Sequence, residues 1–411
     1  MITLSYIGVH QIFQLALAAQ ESHQLESLHC SLIDMPGKWG RRLARSSPPP
    51  SLRPLGYLEL CPDRVREHPL PLLIHRLTQR LWPRKQSDQL FTNRLFDRIV
   101  ARHIAKSATS GIFVGAETCA LESMRAAKKK GMHCILDCPG VPVLYLDAQA
   151  RIAAKDLDLQ LPSSSNSPAM LARKRQELEL ADLILCCSAF QAEKVSEQGI
   201  DPGRIRVVPL WADAEFWSGL YQVRSNHSRP SEGRPLRIIY AGTLSLKKGV
   251  PYLLQALRRL PVPFECLLVG RISPAMAPFL SDLPGGCRIE SYVPKDRLRQ
   301  LYSEHDVLVM PSLGDSFGFV GMEAMAAGLP VIASSNAGVP LPSPDWRIAA
   351  RDAEALTQRL MHYATHRDAL ADDSARAAAF ARQFTPQRYR DQIKEIYQEL
   401  LPSSASRKPL S

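Results

Sequence analysis

The second half of the chain alternates short apolar runs with amphipathic segments, and that alternation leaves few architectures open. "LRIIYAG" (236–242), "FECLLVG" (264–270), "DVLVMPS" (306–312) and "PVIAS" (330–334) have the length and bulk of buried strands. Between them, "VPYLLQALRRL" (250–260), "KDRLRQLYSEH" (295–305) and the segment 320–327 read as helices. Such alternation predicts a parallel, doubly wound sheet. Ligands on these sheets bind beyond the carboxyl ends of the strands. Gly242, Gly270 and Ser312 stand at three such ends, so the pattern puts them on one edge of a domain.

The first half repeats this grammar more faintly. "ITLSYIG" (2–8), "GIFVGAE" (111–117), "HCILDCPG" (133–140), "ADLILCCS" (181–188) and "IRVVPLW" (205–211) are strand candidates. "CALESMRAAKKKG" (119–131) is a helix closed by lysines and a glycine. Three stretches break the pattern: the proline-rich 46–54, the polar loop 159–170, and 221–235, which lacks apolar periodicity. The last is placed as the linker between a first domain, 1–220, and a second, 236–383, followed by a final helix, 384–401. A chain of 411 residues is long enough for two such cores.

Composition excludes several classes. No apolar run reaches the ~18–20 residues of a membrane helix. The start, "MITLSYIGVHQIFQLALAAQ", has no basic leader region and reads as a strand followed by a helix. The nine cysteines form no CxxC pair and sit mostly in apolar contexts, which fits buried thiols in a reducing cytoplasm. Residues 35–110 carry 15 Lys/Arg against 5 Asp/Glu, a local excess of +10. That basic face suits peripheral contact with an anionic membrane surface; a solvated arginine-rich surface is the alternative. Aromatics are not interleaved with the arginines, so no nucleic acid is expected as a partner.

The chemistry concentrates in "PSLGDSFGFVGMEAMAAGLPVIA" (311–333). A strand ends at Pro311 and Ser312, a turn follows, and a helix starts near Gly318. The first amides of a helix lack intrahelical partners and attract anions. Asp315 lies on the turn before that helix start and Glu323 a turn or so inside it. Carboxylates there can accept pairs of hydroxyl hydrogen bonds on both sides of a pyrophosphate, which describes a sugar nucleotide. The plainer alternative makes Asp315 a helix cap and Glu323 a surface residue. A second stretch, "YAGTLSLKKGVPYLLQAL" (240–257), joins strand to helix through a glycine-bearing loop that matches neither a Walker loop nor GxGxxG. Lys247 and Lys248 precede its helix, where a lysine can neutralise a diphosphate.

These residues resemble glycosyltransferase family 4, retaining enzymes of the GT-B fold. The family's paired acids, with seven residues between them, match Asp315 and Glu323; its glycine-to-lysine loop matches "GTLSLKKGVPYLLQA"; its linking segment matches "ELADLILCCSAF" (179–190). The resemblance covers roughly 180–401 and fades in 1–175. It implies an α/β protein of two Rossmann-like, doubly wound domains facing across a cleft, with the last helix crossing back to the first domain. It also implies transfer of a sugar, with retention and without a metal, from a nucleotide-diphosphate sugar to an acceptor hydroxyl of unknown identity. No cofactor is expected beyond that donor substrate.

By the same resemblance Glu323 holds the ribose hydroxyls, Asp315 the transferred sugar, and Lys248 the diphosphate. Ser316, Phe317, Gly318, Phe319 and Val320 supply the amide side of the donor site, with Gly242, Thr243, Lys247 and Arg271 around it. Gly8 and His10 reach it from the first domain. Three departures stand out: Asp315 replaces a glutamate, Thr243 stands where an arginine is usual, and "ILDCPGVP" lacks the usual histidine. Glu117 and Asp137 are the polar candidates on the acceptor side. The departures keep a second reading open, a catalytically weak relative that binds sugar nucleotide as a partner protein. An epimerase of related fold would need acid/base groups across the cleft that the first half does not offer.

Overall fold

The computed structural model describes residues 1–8, 11–45, 55–56, 59–81, 89–108, 110–159, 167–218 and 234–401. The first domain contains β1 (Ile2–Ser5), β2 (Leu25–Cys30), the two-residue pair β3 (Ile33–Asp34) and β4 (Leu55–Gly56), β5 (Val65–Glu67), β6 (Ile112–Ala116), β7 (His133–Asp137), β8 (Leu183–Cys186) and β9 (Ile205–Val207). Seven of these form a sheet in the order β5-β2-β1-β6-β7-β8-β9, every pairing parallel. Its principal helices are α1 (Ile12–Glu21), α2 (Leu70–Leu81), α3 (Gln89–Lys106), α4 (Leu121–Lys129), α5 (Val143–Asp156), α6 (Pro168–Leu180) and α7 (Ala189–Ser196), with α8 (Ala214–Ser218) following β9.

The second domain is built from β10 (Leu236–Ala241), β11 (Phe264–Val269), β12 (Cys287–Glu290), β13 (Val307–Met310), β14 (Val331–Ser334) and β15 (Arg347–Ile348), ordered β12-β11-β10-β13-β14-β15 and again all parallel. Helices α9 (Val250–Arg259), α10 (Lys295–Glu304), α11 (Phe319–Ala326), α12 (Ala353–Thr365), α13 (Arg367–Ala381) and α14 (Pro386–Leu400) cover it and close the chain. Both sheets reverse their winding at a central strand, β1 beside β6 and β10 beside β13. Crevices at such switch points are where open α/β sheets take ligands.

The doubly wound reading holds in both halves. Strands β2, β5, β12 and β15 went unread because they are short or carry polar residues on one face, as "LESLHC" does. The polar loop expected over 159–170 ends at Ser167, whose hydroxyl accepts from the Met170 amide and starts α6 at Pro168; residues 160–166 lie outside the described residues. So do 46–54 and 219–233, and with them most of the expected linker. Just before it, α8 packs against the second domain: Trp217 is buried against Tyr302, and Arg299 donates to the Phe216 carbonyl at 3.1 Å.

The chain then crosses back. Helix α14 lies along α1, with Ile393 and Tyr397 fully buried. The Tyr397 hydroxyl donates to the Leu15 carbonyl at 3.2 Å, Arg390 to Gln14 at 2.7 Å, and Arg390 and Lys394 both pair with Glu21. One apolar cluster runs through α1, β1, β2, α14 and on to α11 and α13. The two domains therefore share a core on one side and face each other on the other. Among the described residues no helix is long and apolar enough to cross a membrane.

Candidate functional site

The carboxyl ends of β10 and β13 bring the two singled-out stretches together. After β13 the chain runs 311–318 into α11. After β10 it runs 242–249 into α9. The Leu313 amide donates to the Lys247 carbonyl at 2.8 Å, which locks one loop to the other. Gly249 makes the approach feasible: its φ is +71°, and a Cβ would sit 1.8 Å from the Pro311 carbonyl oxygen. From this fixed loop Lys248 reaches across, and its Nζ lies 2.5 Å from Asp315 Oδ2. The lysine is about one-third exposed and the aspartate largely covered. The two residues assigned separately to diphosphate and sugar thus form one charged pair at the switch point.

Asp315 is held from behind. Its amide donates to the Asn336 carbonyl at 3.0 Å, and its carbonyl accepts from the Gly338 amide at 2.8 Å. Asn336 also donates to the Leu313 carbonyl at 3.2 Å. The main chain at Asp315 is therefore zipped to the loop after β14, and only its side chain is left to face the crevice.

Gly318 caps α11 in the left-handed region at φ +76°, where a Cβ would meet Met310 Cε at 2.6 Å. Phe317 is buried and packs edge-on against Phe319, which is half-exposed at the first turn. The amides of Phe319 and Val320 head the helix, the position that favours an anion. Glu323 follows one turn later. Burial pushes its carboxyl up to about 7, opposed by Lys295 at the start of α10. Among the described residues its carboxylate takes no hydrogen bond. A half-buried acid without a partner, beside a helix start, is suited to accepting hydroxyls.

The remaining donor-side residues surround this centre. Gly242 follows β10, and the carbonyl of exposed Thr243 accepts from the Tyr240 hydroxyl at 2.8 Å. Lys247 is exposed beside Lys248. Arg271 is exposed, with its guanidinium 5.9 Å from the Tyr292 ring centre. Ser316 is already engaged, donating to the Pro139 carbonyl of the first domain at 3.0 Å. Gly8 lies just beyond β1, next to Ile7, whose carbonyl accepts from Ser31 at 2.6 Å. His10 lies outside the described residues.

Across the cleft, Glu117 and Asp137 follow β6 and end β7. Asp137 is buried and accepts from Gln11 at 2.9 Å. Glu117 pairs with Lys174 at 2.7 Å and lines a cavity of about 570 Å³ together with Cys138, Tyr145 and Lys194. The cavity opens at the carboxyl edge of the first sheet, next to the Pro139 carbonyl that Ser316 reaches. Sequence reasoning missed Lys295 and Asn336, which join the site only through folding. It also missed α5, which packs on the Asp315 loop: Gln149 meets Asn336 at 3.4 Å, and Asp156 meets Tyr252 at 3.4 Å.

Residues 235–366 match the family model described as glycosyl transferases group 1. An uncharacterised glycosyltransferase of Methanocaldococcus jannaschii is 31% identical over 163 residues, 37% of this chain and 40% of that one. The D-inositol 3-phosphate glycosyltransferase of Paenarthrobacter aurescens is 28% identical over 217 residues, 49% of this chain and 52% of that one. The matched segments span about half the length of these relatives or less. Among solved structures, sucrose-phosphate synthase from Thermosynechococcus elongatus superposes with a TM-score of 0.64 at 16% identity, covering 97% of this chain and 98% of that one. The Anabaena protein HepE in complex with UDP gives 0.61 at 15%, covering 97% and 99%. The fold is GT-B. Its two Rossmann-like domains meet along the crevice that holds Lys248, Asp315 and Glu323.

Proposed function

We propose that this protein is a retaining glycosyltransferase that moves a sugar from a nucleotide-diphosphate sugar to an acceptor hydroxyl. The observation that carries the reading is the Lys248–Asp315 pair, set at the β10/β13 switch point beside the head of α11 with Glu323 one turn inside it. Glu323 accepts the ribose hydroxyls. The diphosphate lies against the α11 amides and Lys248, with Lys247 and Arg271 nearby, so side chains and helix amides rather than a divalent cation carry its charge. Asp315, steadied by Lys248 and by the main-chain bonds behind it, accepts hydroxyls of the transferred sugar.

In the transfer, the bond from the sugar's anomeric carbon to the diphosphate oxygen breaks as the acceptor oxygen bonds to that carbon on the same face. The acceptor's proton passes to the departing diphosphate, whose growing charge Lys248 offsets. The cavity beside Glu117 and Lys174 receives the acceptor, and closure of the domains excludes water. The acceptor is proposed to be presented at an anionic membrane face. Leu70, Leu73 and Leu77 form a stripe on α2 that is more than half exposed, within the basic 35–110 region. The same site in a catalytically weak partner protein would bind donor without turnover.

The testing experiment is a thermal-shift screen of wild type and Lys248→Ala against UDP, GDP, ADP and their sugars. HepE was solved with UDP, which makes that nucleotide the first to try. A ligand that binds only the native state raises the melting temperature by mass action. One nucleotide should stabilise the wild type, and Lys248→Ala should weaken its binding by roughly tenfold to a hundredfold, the scale of one charge-assisted contact. No stabilisation by any nucleotide would overturn the reading. Stabilisation without sugar transfer or hydrolysis would select the partner-protein alternative.

A further inference from the structure

The first sheet has a polar patch that the donor site does not use. Alternation along the strands sends Ile2, Leu4, Leu28 and Val65 into the core shared with α1. It leaves Thr3, Ser27, His29 and Arg66 facing a cavity of about 250 Å³, which His103 and Lys106 at the end of α3 also line. His68, just after β5, lies nearly coplanar with His29 with ring centres 5.2 Å apart, and His103 meets both rings at a steep angle at 5.4 and 5.2 Å.

The three rings point their nitrogens at one another. One ligand nitrogen from each lies within 4.8 Å of the other two, and His29 Nδ1 is 2.9 Å from His68 Nε2. The outward nitrogens are fixed. His103 Nδ1 lies 3.0 Å from the Ile99 carbonyl, which can only accept, so the proton sits on Nδ1 and Nε2 presents a lone pair. His29 Nε2 lies 3.1 Å from Ser27 Oγ; donating there leaves a lone pair on Nδ1, which in this structure takes the hydrogen bond from His68 Nε2 and which a metal ion would take over as that proton leaves. Metal-bound histidines make this kind of outer contact, which sets ring orientation and tautomer.

We propose that His29, His68 and His103 form a three-imidazole site for a divalent transition metal of the zinc class, on the α3 side of the first sheet and apart from the donor crevice. Zinc takes imidazole nitrogens at about 2.0–2.1 Å, so a tetrahedral set has its nitrogens about 3.3 Å apart. To reach that spacing the His29–His68 pair must open from 2.9 Å and the three nitrogens, now within 4.8 Å of one another, must draw around the ion. The fourth position opens into the cavity, where Arg66 and Lys106 favour a solvent molecule or an anion. The ion would tie β2, the end of β5 and α3 together. This inference does not rest on the glycosyltransferase reading.

The test uses the full-length, tag-free chain, stripped with a chelator and titrated with Zn²⁺ by calorimetry and with Co²⁺ by visible absorption. One ion should bind per chain, with a tetrahedral Co²⁺ spectrum free of thiolate charge-transfer bands. Zn²⁺ should raise the melting temperature. His103→Ala lies on an exposed helix end and leaves the fold intact by circular dichroism; it should weaken Zn²⁺ binding at least about tenfold, and His68→Gln should do likewise. Failure of the wild type to bind one ion would overturn the proposal. So would unchanged affinity in His103→Ala, or a Co²⁺ spectrum showing thiolate ligation.

Discussion

Replacing Glu323 with glutamine should make the protein more stable at pH 8 while removing donor binding. In the folded chain burial lifts this carboxyl from the ordinary 4.5 to about 7, although Lys295 pulls the other way. Unfolded, it titrates at its ordinary value. Between those two values the folded state holds more protons than the unfolded one, so stability falls as pH rises through the window and the full penalty is present above it. At about 1.4 kcal/mol per pH unit, keeping Glu323 ionised in the fold costs up to about 3 kcal/mol at pH 8. Glutamine keeps the shape and discards the charge. Urea denaturation should therefore show a gain of about 1–3 kcal/mol at pH 8 and close to none at pH 4. Donor affinity should move oppositely in the wild type. If only the carboxylate accepts the ribose hydroxyls, the apparent Kd for the nucleotide worsens roughly tenfold from pH 8 to pH 6. In Glu323→Gln binding is weak throughout, and only the nucleotide's own phosphate titration remains. A variant less stable than wild type at pH 8, or one that retains the wild-type pH slope, would refute the reasoning.

Three further outcomes follow from the packing. Gly249→Ala places a methyl against the Pro311 carbonyl at a positive φ; it should cost about 1–3 kcal/mol in denaturation and lower nucleotide affinity, because the same loop carries Lys248. Ile393→Ala opens a cavity between α14 and α1 and should destabilise by roughly 2–5 kcal/mol, measured as a shift in the denaturation midpoint. The double variant Leu73→Asp, Leu77→Asp should abolish co-sedimentation with anionic vesicles at low salt while leaving the nucleotide thermal shift unchanged; retention of vesicle binding would remove α2 as the contact surface.

How much of the site was legible depended on whether its parts are neighbours in sequence. The stretch 311–326 carries a strand end, a left-handed glycine and a helix start within sixteen residues, so Asp315, Gly318 and Glu323 could be placed relative to one another from local geometry alone. The loop carrying Lys247 and Lys248 could be placed at the same sheet edge, because every strand of a parallel sheet ends there. The reach of Lys248 to Asp315 could not be read, since it depends on the Gly249–Pro311 approach. Asn336 went unnoticed for the same reason: it is an ordinary residue until the order β10-β13-β14 brings its loop alongside, and Lys295, at the start of α10, bears on the site only through its charge near Glu323. Ser316 was read as part of the donor site, and folding commits its hydroxyl to the Pro139 carbonyl of the other domain.

By itself the sequence determined that this chain would form two parallel α/β sheets, where the ligand edge of the second would lie, and which acids and lysines would stand there. Those are consequences of periodicity and of strand-to-helix turns, which short segments encode. Tertiary structure alone decided that Lys248 and Asp315 pair and that Glu323 is half-buried with no hydrogen-bond partner among the described residues. It also decided that α14 ties the end of the chain to α1, and that nitrogens of His29, His68 and His103 come within 4.8 Å of one another. Those three histidines lie 39 and 35 residues apart, on a strand, a loop and a helix. No local pattern marks them; their nitrogens meet only because the sheet's polar face and the end of α3 close over the same space.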